Sequence, residues 1–231
     1  MNRKTRAILT FPLALYLQAI TYLPGEIGFF LRTRFWRKRL KFLGNKSRID
    51  IGVYFQNPEY ISIGANCWID REVVILAGLD NSNREKIITH NKDYTFERGV
   101  VYIGNNVHIG LGGIISGISA GVYISNDCCF SAKCCVFAFS HHYKSKESPE
   151  DKSFSFGSMV EHNRQCLIEG PIFIGENVGV ALNAIILPGV SISANSFVAI
   201  NSVVKTGSYA ENSLLSGNPA KVVGNRFNIN E

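Results

Sequence analysis

From Ile63 onward an aliphatic residue, once replaced by phenylalanine, returns every six positions. The row begins Ile63, Ile69, Ile75 and resumes at Ile103, Ile109, Ile115. It then slips by three to Ile124, Phe130, Val136 and, after a second break, reads Ile174, Val180, Ile186, Ile192, Val198, Val204. A second regularity tests the first. Four residues after fourteen of these fifteen positions stands a small residue: Cys67, Val73, Val107, Gly113, Ser119, Cys128, Cys134, Ser140, Val178, Ala184, Val190, Ser196, Ser202 and Ser208; the exception is Leu79. A six-residue unit with one aliphatic and one small residue facing inward fits short parallel strands joined by tight corners. Three such strands make a coil, and coils stack into a triangular prism in which every inner rung is paired. Fifteen strands make about five coils.

Charge and cysteines narrow the function classes. The net charge of +6 is not spread over the chain. Residues 1–43 hold nine Lys or Arg against the single acid Glu26, a net of +8, so the remaining 188 residues carry −2. The body therefore lacks the basic footprint that a nucleic-acid backbone requires. The six cysteines, at 67, 128, 129, 134, 135 and 166, do not read as a disulfide framework, because the chain is long and hydrophobic enough to build its own core. The Cys-Cys doublets also lack the spacer that turns two thiolates toward one metal. Three of the six fall on the small inward position and read as packing residues. No metal is expected.

The local motifs resemble those of the hexapeptide-repeat acyltransferases. Ile63-Gly64-Ala65-Asn66-Cys67-Trp68, Ile103-Gly104-Asn105-Asn106-Val107-His108 and Ile174-Gly175-Glu176-Asn177-Val178-Gly179 match their unit, as do Leu187-Pro188-Gly189-Val190 and the closing Gly217-Asn218-Pro219-Ala220-Lys221-Val222. The resemblance covers about residues 48 to 224. It implies an all-β solenoid, a left-handed parallel β-helix of about five or more coils, contrary to the usual right-handed crossover. It also implies a homotrimer, and transfer of an acetyl or similar acyl group from acetyl coenzyme A to a sugar hydroxyl.

Two polar segments, 79–100 and 143–171, interrupt the repeat, and long excursions from a regular solenoid usually carry function. The second begins directly after Ser140-His141-His142. Acyl transfer to a hydroxyl needs a base near neutrality, the range of histidine. In the sugar and maltose acetyltransferases that the sequence resembles, the catalytic histidine fills the sixth place of a hexapeptide just before the loop. That place is His141 here, with His142 on the next inward position as its orienting neighbour or substitute. Tyr143, Glu161 and His162 are candidates for the acceptor loop, and Asp127, Glu147, Glu161 and Glu169 for the carboxylate that orients the base. His108 occupies a sixth place without a following loop and reads as an exposed surface residue. Coenzyme A, which the resemblance places in a groove between subunits, is assigned Gly179, Ala181, Ala199, Ser202, Lys205, Lys221 and Arg226. The sequence departs from relatives at Gly179, where a tryptophan is common, and at Leu111, where some carry an asparagine.

Residues 1–43 combine an apolar stretch, Ile8 to Leu23, with Phe29, Phe30, Phe35 and Trp36 interleaved among Arg32 to Lys41. The stretch is short for a spanning helix, and no small-x-small cleavage site follows within Gln18 to Gly25. The pattern suits helices lying on an anionic membrane surface, or capping the open first coil. A coenzyme A-dependent enzyme is expected in the cytoplasm, here on the inner face of the cell membrane. Other readings are N-acetylation of a nucleotide-linked amino sugar, and a non-catalytic β-helix used for binding. A zinc-dependent carbonic anhydrase on the same fold needs three histidine ligands, which His108, His141 and His142 match poorly.

Overall fold

A computed structural model of the chain describes residues 3–227. Two helices, α1 (Arg3–Tyr22) and α2 (Gly25–Arg37), precede a left-handed parallel β-helix. Its three walls are a seven-stranded first sheet, an eight-stranded second sheet and a six-stranded third sheet. Since each coil crosses each wall once, the six strands of the third sheet mark six complete coils, and Gly207–Tyr209 and Ser213–Gly217 begin a seventh.

The coil missing from the repeat comes first. Phe42–Leu43, Arg48–Ile49 and Tyr54–Gln56 pair in parallel with the next coil, so Leu43, Ile49 and Phe55 stack on Ile63, Ile69 and Ile75. The six-residue beat fails between Phe55 and Ile63 because a 3₁₀ turn, Pro58–Tyr60, lengthens that corner. The β-helix therefore starts inside the segment that charge alone had set apart.

Inward positions are filled as the repeat requires. Ile63, Ile69, Ile75, Ile103, Ile109, Ile115, Ile124, Phe130, Val136, Ile174, Ile186, Ile192, Val198 and Val204 are fully buried. The small positions line the same interior, with Cys67, Cys128 and Cys134 buried as free thiols. Burial pushes the Cys128 thiol up to about 12 and that of Cys134 to about 11, so both stay protonated. Ser140 and Ser208 depart from the pattern. The first lies on a strand leaving the prism, and the second is exposed on the unfinished seventh coil.

Corners show a regularity that the hydrophobic count overlooks. The residue three after an inward position takes the left-handed conformation, with φ between 55° and 60° at Asn66, Asn106, Asn177, Asn183, Asn195 and Asn201. Asparagine tolerates that backbone better than other non-glycine residues. Its side chain also continues the ladder from coil to coil, as in Asn66 Nδ2 to Asn106 Oδ1 (2.9 Å) and Asn183 Nδ2 to Asn201 Oδ1 (2.9 Å).

The N-terminal end of the prism is closed by α2, which turns Gly28, Arg32 and Phe35 inward. Arg32 is 1% exposed, and its guanidinium donates to Ile49 O at 3.0 Å on the first coil and to Ile20 O (3.1 Å) and Leu23 O (2.6 Å) at the end of α1. One buried cation thus satisfies carbonyls that a helix end and an open coil leave without partners. Burial lowers its pKa, and Asp50 opposes that shift. Gly28 is required here, since a Cβ would stand 1.9 Å from Leu23 O. No described helix is long and apolar enough to cross a membrane.

The register makes a direct test. Ile186→Ala, at a fully buried position, should cost about 2–5 kcal/mol through lost burial and a cavity in a tightly packed prism. Ile185→Ala, one residue away on the outer face, should lower the melting temperature far less. Equal losses in thermal melts would contradict the register.

Candidate active site

The two insertions leave the prism at the same corner. Each departs from the end of a third-sheet strand, Val74–Leu76 or Cys135–Phe137, and returns at a first-sheet strand, Val101–Ile103 or Ile172–Ile174. Their necks are closed by backbone hydrogen bonds, from Gly78 N to Gly99 O (2.7 Å) and from Gly170 N to Ala138 O (2.9 Å). Outside the prism the insertions build a three-stranded sheet of their own. Cys166–Glu169 is its central strand, antiparallel to Phe139–His142 and parallel to Glu85–Ile88.

This small sheet changes the place of the histidine pair. The sequence puts His141 on an outward hexapeptide position and His142 on an inward one, but the chain has already left the coil after Ala138. His141 lies opposite Leu167 and His142 opposite Cys166 in the outer sheet. Pairing with a segment some twenty-five residues downstream overrides the local period. The two imidazoles have different surroundings. His142 Nδ1 is 2.7 Å from Lys144 O. A carbonyl only accepts, so Nδ1 carries the hydrogen and the neutral ring keeps its lone pair on Nε2. His141 sits between Phe139 and Phe156, with ring centroids at 6.2 and 5.9 Å, and its Nε2 is buried without a hydrogen-bond partner. His108 Nε2 is the other buried imidazole nitrogen without a hydrogen-bond partner among the described residues, and such orphans are uncommon.

None of the four carboxylates proposed from sequence orients either ring. Asp127 accepts from Asn106 at a corner. Glu147 and Glu161 are exposed. Glu169 is 2% exposed and takes the Arg98 guanidinium at 2.5 Å and the Ser119 hydroxyl, joining the second insertion to the first and to the coil beneath. A backbone carbonyl holds His142 instead, and what holds that carbonyl is Glu85, which the sequence reading passed over. Glu85 accepts from Ser145 Oγ (2.6 Å), Lys146 N (2.6 Å) and Glu147 N (3.2 Å), pinning the turn that follows Lys144. Burial on its own raises the Glu85 carboxyl, but these hydrogen bonds outweigh it and hold the group below its ordinary 4.5.

The remaining candidates divide between places. Tyr143, Glu161 and His162 are exposed on the second insertion, and Tyr143 packs on the His142 ring at 4.5 Å. His108 is half-buried rather than exposed, stacked near Trp68 (5.3 Å) with Nε2 3.6 Å from Asp70 Oδ2. The residues assigned to coenzyme A do not line one groove of one chain. Gly179 is on the second wall, where a Cβ would meet the Phe197 ring at 2.9 Å. Ala181 and Ala199 are at the corner of the second and third walls, and Lys205 is exposed at the corner where the insertions leave. Lys221 is exposed on the last strand, Ala220–Asn225. Arg226 is tied to Asn177 O (2.9 Å) and Asn195 O (3.2 Å) at the third corner. Ser202 leaves the set: it is fully buried and its hydroxyl accepts from Gly217 N (3.1 Å). Its small side chain served the interior, not the surface. Beside the insertions a cavity of about 600 Å³ is lined by His90, Lys92, Tyr94, Phe96 and Arg98 of the first insertion and by Glu169.

Comparison with solved structures places this architecture. AntD, an N-acyltransferase from Bacillus cereus solved with dTDP and coenzyme A, superposes with a TM-score of 0.66 at 19% identity, covering 83% of this chain and 87% of that one. The chain has the hexapeptide-repeat β-helix fold. The hexapeptide-repeat acetyltransferase VCA0836 of Vibrio cholerae O1 biovar eltor, complexed with acetyl coenzyme A, gives a TM-score of 0.53 at 21% identity over 90% of this chain and 81% of its own. Among curated proteins, the putative lipopolysaccharide biosynthesis O-acetyl transferase WbbJ of Escherichia coli K12 is 30% identical over 128 residues. That match covers 55% of this chain and 62% of the relative's length. No family model matches.

The Glu85 arrangement generates a prediction. Because its carboxyl is held below 4.5, its contribution is complete above the unfolded value and is lost as pH falls through the folded one. Limited proteolysis of residues 143–165 should therefore accelerate below about pH 4 in the wild type. Glu85→Gln should show the faster cleavage already at pH 7, with little change in the melting temperature of the prism. Equal cleavage of the two proteins at pH 7 would count against the pin.

Proposed function

We propose that the chain is a coenzyme A-dependent O-acetyltransferase that acts on a sugar hydroxyl of a cell-surface polysaccharide or its precursor. The observation that carries this reading is the histidine pair on the outer sheet. His141 presents a ring nitrogen with no partner in the chain, beside a His142 whose tautomer is set by Lys144 O. His141 Nε2 takes the proton as the acceptor oxygen attacks the thioester carbonyl. The C–S bond then breaks, the proton passes to the departing thiolate, and the products are the sugar ester and free coenzyme A. Phe156, which is 64% exposed, packs beside His141 at the edge of the proposed acceptor site. The similarity to WbbJ supports an O-linked sugar acceptor. The similarity to AntD favours a second reading, N-acylation of an amino sugar carried on a nucleotide.

The working unit in this reading is a homotrimer. One chain distributes its coenzyme A candidates over three corners, and packing prisms around a threefold axis sets the corner of one copy against the wall of the next. Helices α1 and α2 rest on the anionic inner face of the cell membrane, where a lipid-linked or growing acceptor is found.

His141→Ala should retain fold and coenzyme A binding and lose acyl transfer by about 10² to 10⁴-fold, the range for a removed general base. The loss should appear in kcat rather than in KM for the donor. His142→Ala should lose less. Thiol release from acetyl coenzyme A, followed across a panel of sugars, nucleotide sugars and amino sugars, measures both variants and separates O- from N-transfer. Near-normal turnover in both variants with a verified acceptor would make the pair structural. Sedimentation equilibrium should give three times the chain mass of 25.6 kDa, and a fully active monomer would refute the shared-groove arrangement.

A further inference from the structure

The α2 helix is amphipathic in two senses. Its inner face is Gly28, Arg32 and Phe35. Its outer face, at spacings of three and four residues, is Ile27, Phe30 and Arg34, with Arg37 and Lys38 one turn further. Ile27 is 71% and Phe30 66% exposed, and Tyr22 and Leu23 at the end of α1 extend the apolar patch. Between this face and the corner of the first coil runs a groove of about 510 Å³, to which Arg34, Arg37, Lys38, Lys46 and Arg48 contribute five cations. The one acid of the groove, Glu26, is committed to Arg48 at 3.0 and 3.1 Å. Arg48 also lies over the Phe29 ring at 4.8 Å. Arg34, Arg37, Lys38 and Lys46 form no ion pair among the described residues.

Four uncompensated cations converging on one concavity repel one another and lack a counter-charge. The exposed Phe30 lines the same groove, and the exposed Ile27 stands one turn before it on the helix. Charge and apolar surface at a common edge fit an occupant with an anionic head and an apolar tail. We infer that the groove seats the phosphate headgroup of an anionic phospholipid in the bilayer, with Ile27 and Phe30 inserted among the acyl chains and the prism axis thereby oriented against the membrane. This deepens the membrane-surface reading above and rests on it. The groove opens at the first coil, whereas the histidine pair leaves the fourth, so an occupant of the groove leaves the histidine pair clear.

Flotation of the full chain with vesicles containing roughly one third phosphatidylglycerol, against pure phosphatidylcholine vesicles, tests the assignment. The chain should float with the anionic vesicles alone. The triple variant Arg34→Gln, Lys38→Gln, Lys46→Gln should lower the partition coefficient by about 10²-fold. The control Lys133→Gln, Lys146→Gln, Lys152→Gln removes the same charge elsewhere and should change it by less than about threefold. All six side chains lie on exposed residues, so melting temperatures should be kept. Phe30→Ser should weaken binding while leaving its salt dependence intact. Wild-type protein that ignores anionic vesicles would end the membrane reading and this proposal together. Equal weakening by both triple variants would end the groove assignment alone and leave diffuse attraction in its place. Displacement of the protein by inorganic phosphate, beyond that by chloride at matched ionic strength, would overturn the lipid assignment in favour of a soluble anion.

Discussion

The structure depends on stacking each coil in register on the one before. An inward isoleucine meets the inward residue of the neighbouring coil, as Ile63 meets Leu43 on one side and Ile103 on the other, while the backbone between them is paired as a parallel ladder. The interior is thus close-packed along the whole axis, and each coil is held chiefly by its two neighbours. Three consequences follow from that one-dimensional order. Corners must repeat, inserted chain must leave at a corner, and the ends must be closed.

The corner requirement explains the asparagines. A tight turn of this kind needs a left-handed residue, and a side chain able to bond its counterpart one coil away adds a polar ladder along the outside. The exit requirement explains the site. Segments 79–100 and 143–171 are far apart in sequence yet leave at one corner two coils apart, so they can pair with each other. The outer sheet, the Arg98–Glu169 contact and the Glu85 pin all follow from this adjacency. The histidine pair is held by the outer sheet of the insertions and not by a wall of the prism. The end requirement explains Arg32. A buried guanidinium is costly without partners, and here it bonds the carbonyls of α1 and of the first coil, so the cap and the first coil form one unit.

The acyltransferase reading and the membrane reading concern opposite needs of the same molecule. The body carries a net charge of −2 and the first 43 residues +8. The membrane reading proposed above draws on this division, since an anionic surface attracts one end of the chain and not the other. The prism separates the helices at its N-terminal end from the insertions along its side.

Sequence by itself determined the solenoid, because the period of six is a local property repeated many times and each strand needs only its own two inward residues to declare itself. It also placed the histidine pair at the edge of the second insertion, on which the proposed chemistry rests. It did not show the first coil as part of the repeat, because a 3₁₀ turn breaks the beat there, and although the period put Ser202 at an inward position, it did not show that its hydroxyl is taken by Gly217 N and so is closed to a ligand. Only the tertiary structure decided how His141 and His142 are held. Their strand pairs with residues 166–169, that strand pairs with residues 85–88, and Glu85 reaches the turn beyond Lys144 across 60 positions of sequence. Contacts of that range depend on which coils the two insertions leave and on the corner they share, and those are properties of the stacked prism and not of any local pattern of residues.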